Sequence, residues 1–110
     1  MITDKSVEDA LMFLATNIEE AARARANKVL AEEGRKIKKA LLMGQSNEKH
    51  STERERFAYA HPEYDEYNQS TLGPAIYNDH YHELKRKAAE STIDAWRTQE
   101  ASHRALGKIG

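Results

Sequence analysis

The chain contains no cysteine, two prolines and five glycines among 110 residues, and aromatic side chains make up only 7%. Without cysteine there can be no disulfide, thiolate nucleophile or cysteine-ligated zinc, and a reducing interior is the natural setting. Seventeen basic residues nearly balance eighteen acidic ones, giving a net charge of −1. No global field therefore draws the protein to nucleic acid or to an acidic membrane. The longest apolar run, Ala10 to Ala15, is far too short to span a bilayer. The opening residues also lack the basic leader and cleavage pattern of a secretion signal. The expectation is a soluble protein of the cytoplasm.

What is present in quantity is charge, at 32%, and alanine, which supplies much of the 39% hydrophobic fraction. A chain of this length makes one domain, and its side chains suit a thin seam between paired helices better than a broad core. Ser6-Val7-Glu8-Asp9 reads as an N-cap with acids in the first turn of a short helix over 6–14. Thr16 or Asn17 can cap a second start. From 17 to 43 proline is absent, and Ile18, Ala22, Ala26, Val29 or Leu30, Glu33, Ile37 and Leu41 recur at helical spacing. Gly34 lies inside this helix at a cost of up to roughly 1 kcal/mol, which close approach by another backbone would justify. Gly44-Gln45-Ser46-Asn47 supplies the stop.

Thr52 and Glu55 form a capping-box pattern for a short helix over 52–60, and His61-Pro62 ends it. Pro62 then suits the first position of a long helix over 62–105, kinked or broken at Gly73-Pro74. In it Tyr77, Tyr81, Leu84, Ala88, Ala95 and Trp96 recur, with Ile93 on the flank, and Gly107 to Gly110 read as a frayed tail. The fold class expected is all-α: a long antiparallel helical hairpin, coiled-coil-like, with arms of roughly 40 Å and short helices at the N-terminus and at the bend. Few large apolar residues are available for the seam, so a homodimer is expected.

The most metal-like stretch is Asp79-His80-Tyr81-His82-Glu83. Residues two apart on a helix point about 200° apart, so His80 and His82 cannot grip one ion. His80 with Glu83, or Asp79 with His82, gives two ligands where a site needs three or four. Nothing in the spacing of His50, His61 and His103 makes them converge, so exposed polar residues are the simpler reading and no metal or cofactor is expected. Glu53, Glu55, Glu63, Asp65 and Glu66 crowd the bend as solvated charge, with no nucleophile elbow or phosphate-binding glycine loop. No catalytic residue is assigned, and a non-enzymatic protein is expected.

Three basic segments, Arg23-Ala24-Arg25, Arg35-Lys36-Ile37-Lys38-Lys39 and Lys85-Arg86-Lys87, lie on long helices and could meet phosphates. Tyr59, Tyr64, Tyr67, Tyr77 and Tyr81 could stack on unpaired bases. The simpler alternative pairs the bases with Glu32, Glu33 and Glu90 across exposed helix faces. Arg35, Lys36, Lys38 and Lys39 are the candidate nucleic-acid contacts. Phe57, Tyr59, Tyr64 and Tyr67 at the bend are the candidate partner contacts. Trp96 reads as a core plug against Leu11, Phe13 or Leu14, or else as an anchor for another protein.

Ser51-Thr52-Glu53-Arg54-Glu55, Ala58-Tyr59-Ala60-His61-Pro62-Glu63-Tyr64, Leu84-Lys85-Arg86-Lys87-Ala88-Ala89-Glu90 and Ile93-Asp94-Ala95-Trp96-Arg97 follow one another in order. The set resembles small helical bacteriophage proteins with the pattern ERE-AYA-PEY followed by AE-xIxxWR, encoded near single-strand annealing, single-strand-binding and exonuclease genes. The resemblance covers residues 18 to 104 and departs at Gly73-Pro74, where those proteins continue as charged helix. It implies a phage accessory protein of DNA recombination or replication, working in the host cell cytoplasm. It would bind a protein of that machinery, with single-stranded DNA as a second expected contact. The alternative is a counter-defence inhibitor of a CRISPR effector or host nuclease, acting by steric block or DNA mimicry.

Overall fold

A computed structural model describes residues 1–109, and among them the chain is all-α, a helical hairpin without strands. Its helices are α1 (Asp4–Thr16), α2 (Ile18–Gln45), α3 (Ser51–Ala60), α4 (Pro62–Tyr67) and α5 (Gly73–Ile109), with a π-helical turn at Asn68–Leu72 between the last two. None of the described helices is long and apolar enough to cross a membrane. Two compact units divide the chain: Met1–Ala22 with Tyr81–Gly110, and Arg23–His80.

In the first unit the N-cap of α1 is Thr3, not Ser6. The Thr3 hydroxyl accepts the Ser6 amide at 3.1 Å and sits 2.8 Å from the Ser6 hydroxyl. The helix buries Val7 and Ala10, and α5 contributes buried Ala89. Asn17 ends α1 and begins α2: its amide donates to the Phe13 carbonyl at 2.9 Å, while its own carbonyl accepts the Ala21 amide at 3.0 Å. Trp96 is half-buried and reaches the first turn of α1. The indole N–H donates to Asp4 at 3.2 Å. Gln99 grips Ile2 at both backbone groups, accepting the amide at 3.2 Å and donating to the carbonyl at 2.9 Å. Gly107 belongs to α5, so the helix runs further than the expected fraying at 107–110; Gly110 lies outside the described residues.

The second unit corrects the seam. Along α2 the inward positions are Ala24, Lys28, Ala31, Arg35, Lys38 and Leu42, a four-three alternation that keeps one face toward a partner helix. Alanines let the backbones approach, and the lysine stems lie along the seam with their ammonium groups at its edge. The larger residues expected there face outward: Val29, Leu30, Ile37 and Leu41 are 51–69% exposed. Two cations of the seam, Lys28 and Lys38, meet carboxylates. Buried Asp79 accepts Arg25 at 3.0 Å and lies 3.6 Å from Lys28, and Lys38 lies 3.4 Å from Glu63. Asp79 is thus an ion-pair anchor, not an exposed polar residue.

Helix α3 starts one residue before the expected box, with His50 as an N-cap that makes no side-chain bond. Glu55 is half-buried and pairs with Lys39 at 3.3 Å instead of closing a box with Thr52. Arg54 donates to the Met43 carbonyl at 3.2 Å, an acceptor near the end of α2 that also takes the Ser46 amide at 3.2 Å. Ala58 is fully buried. His61 takes extended geometry, its ring nitrogen accepting the Glu63 amide at 3.1 Å, and Pro62 opens α4 as expected.

Gly73-Pro74 does not break the helical course of the chain, and a π turn precedes it. Pro74 has no amide and its ring crowds the carbonyl four residues back, and widening the preceding turn removes that clash. The Gly73 amide accordingly donates to Asn68, five residues back, in place of the usual four. A Cβ at Gly73 would stand 3.1 Å from the same Asn68 carbonyl oxygen, tighter than ordinary contact. The π turn buries Leu72.

Candidate functional site

Arg35, Lys36 and Lys39 stand one and three residues apart on α2, so their stems share one side of the helix. The 46–50 connection returns the chain to that side. Helix α3 then delivers Tyr59, and the turn at His61-Pro62 redirects the backbone so that Tyr64 on α4 meets it. The two rings make an edge-on contact with centroids 5.4 Å apart. These five side chains line one cleft of about 320 Å³.

The Lys39 ammonium lies 4.9 Å from the Tyr59 ring centroid and 3.3 Å from the Glu55 carboxylate. Hydrogen bonding with Tyr59, followed by Glu55, raises the Lys39 pKa above the usual lysine value, against the opposing effect of desolvation. Lys39 is therefore a fixed positive charge at neutral pH. Lys36 pairs with Glu33 at 3.1 Å one turn back, both side chains well exposed. Such a pair is worth little and exchanges readily for a stronger anion. Arg35 is half-buried and makes no ion pair among the described residues. Its planar fork suits a phosphate or carboxylate.

The eight expected contact residues thus divide. Arg35, Lys36, Lys39, Tyr59 and Tyr64 converge. Lys38 turns to a second cleft with Glu63, Glu66, Tyr67 and Ser70. Tyr67 is half-buried, its hydroxyl donating to the Ala31 carbonyl at 2.8 Å. Phe57 makes an edge-on contact with His61, centroids 5.7 Å apart, outside the cleft. Two carboxylates, Glu33 and Glu55, hold the cleft cations: the Glu33 pairing is the simpler alternative that the sequence offered, the Glu55 pairing is not. Glu33 to Lys36 is a three-residue spacing and readable; Glu55 to Lys39 needs the fold.

Acids and histidines elsewhere have other occupations. A hydrogen bond with Glu48, and then that residue's negative charge, raise the Glu53 pKa. Asn17 and His82 side chains meet at 3.1 Å. Among the described residues no three of these side chains gather as a metal ion requires. Comparisons with protein-family models, curated proteins and solved structures found no match.

Proposed function

We propose that the chain is a non-enzymatic helical accessory protein of a bacteriophage that holds single-stranded nucleic acid during DNA recombination or replication. Its place of action would be the host cell cytoplasm, beside a protein of the same machinery. One observation carries the reading: three cations and two tyrosine rings share the cleft between α2 and the α3–α4 turn. Phosphates need cations and unpaired bases need ring faces, and sequence-tolerant single-strand binding combines the two. The resemblance of the motif order to phage recombination-cluster proteins is a second support for the reading.

The counter-defence alternative by DNA mimicry asks for a concentrated acidic face. Glu48 and Glu53 crowd together, but Glu55 and Glu63 at the same bend are neutralised by Lys39 and Lys38. The cleft therefore favours the first reading.

Anisotropy of a labelled oligothymidylate at low salt tests it. Binding should weaken at least tenfold in Arg35→Glu and in Tyr59→Ala, and far less in Lys38→Glu. With three phosphate contacts the slope of log affinity against log salt should be about −2. Absence of binding by the unaltered protein would overturn the proposal.

A further inference from the structure

Helix α2 carries two longitudinal faces, and only one is used within the chain. At 100° per residue, Val29, Leu30, Ile37 and Leu41 lie roughly 90–150° around the helix from the buried face of Ala24, Ala31 and Leu42. They are 51%, 69%, 62% and 62% exposed, four large aliphatic side chains in three turns. Four exposed large aliphatic side chains on one helix face suit a protein contact.

The charge within the strip selects the occupant. Glu33 sits in its middle, 60% exposed, with Lys36 at its edge, 67% exposed. A purely apolar partner would take the Glu33–Lys36 pair out of water with no further polar partner, which costs more than a single ion pair returns. A second copy of α2 laid antiparallel, with its two-fold axis at residue 35, brings what is needed. Glu33 of each copy then lies beside Lys36 of the other. The same register sets Leu30 level with Ala40, Val29 with Leu41, and Ile37 with the aliphatic stem of Glu33. A parallel pair would place Glu33 against Glu33.

We infer that the outer face of α2, built on Val29, Leu30, Ile37 and Leu41, is an antiparallel homodimer interface keyed by Glu33 and Lys36. The Lys36 that borders the cleft therefore also borders the interface, while Arg35 and Lys39 remain on the far side of the helix.

Sedimentation velocity of the full chain tests the inference, with circular dichroism showing that each variant stays helical. The unaltered protein should be dimeric at micromolar concentration. Leu30→Glu with Ile37→Glu should weaken the dimer by roughly a hundredfold while leaving helicity intact, because both side chains are exposed in the single chain. Glu33→Lys alone and Lys36→Glu alone should each dissociate, since like charges then face across the two-fold axis. Mixed in equal amounts, these two variants should recover a dimer, because both cross-pairs become attractive. A monomer throughout, a dimer indifferent to Leu30→Glu with Ile37→Glu, or charge variants that do not recover on mixing would each overturn the interface.

Discussion

The hydroxyl of Tyr67 occupies the space where a side chain at Gly34 would begin, and it donates from there to the Ala31 carbonyl at 2.8 Å. The glycine in α2 is thus explained by an approaching side chain and not by an approaching backbone. In an open helix Gly→Ala stabilises by about 0.5–1 kcal/mol. Here Gly34→Ala should destabilise by about 1–3 kcal/mol in urea denaturation, because Tyr67 must leave its hydrogen bond. Tyr67→Phe in the same chain should recover part of that loss. Recovery would be incomplete, since the Tyr67 ring carbon bearing the hydroxyl lies only 3.1 Å from the added Cβ.

Asp79 carries the acid sensitivity. The Arg25 guanidinium, with help from Lys28, holds its carboxyl below the usual range, against the opposing effect of burial. A carboxyl depressed by folding binds fewer protons in the native state than in the unfolded one. Its stabilising effect is therefore complete above the unfolded value, near pH 4, and fades as pH falls toward the native value. Asp79→Asn should lower the melting midpoint at pH 7 by on the order of 5 °C and flatten the melting profile below about pH 4.

Gln99 holds the start of the chain through both backbone groups of Ile2. Gln99→Ala should cost about 1–2 kcal/mol, and the loss should be local. Amide exchange should speed up in the first turns of α1 and remain unchanged in α3 and α4. A uniform increase would show that α1 and the rest open together.

How much of this could be read from sequence follows from the range of each interaction. Pro62 at the start of α4 acts on its own turn, and that boundary was legible; Gly44, expected as the stop of α2, lies inside the helix without a positive φ, and the helix ends at Gln45. The three- and four-residue ion pairs Glu33–Lys36 and Arg86–Glu90 were legible too. The seam was not. Helical spacing in α2 offers two faces, and weighting by hydrophobicity selects Val29, Leu30, Ile37 and Leu41. Packing selects Ala24 and Ala31, whose small size allows close approach, with Lys28 and Lys38 reaching distant carboxylates. Gly73-Pro74 announced an irregularity, yet only the backbone shows it resolved as one wide turn. Members of the cleft were recognisable singly as bases and aromatics. Their meeting depends on the reversal after Gln45 and the redirection at His61, which no local pattern encodes.

The cleft also sets an internal competition. Glu55 holds Lys39, so removing that carboxylate frees a cation that already stands at the tyrosine pair. Glu55→Gln should tighten oligothymidylate binding by about three- to tenfold at low salt and steepen its salt dependence. Unchanged affinity would show that Lys39 does not meet the strand.

The most direct measurement is a nuclear magnetic resonance titration of the isotopically labelled protein with oligothymidylate. The account predicts that ring signals of Tyr59 and Tyr64 and the side chains of Arg35 and Lys39 move together, with Lys38, Tyr67 and Phe57 little affected. Shifts centred on Lys38 and Tyr67, or no shifts at all, would contradict it.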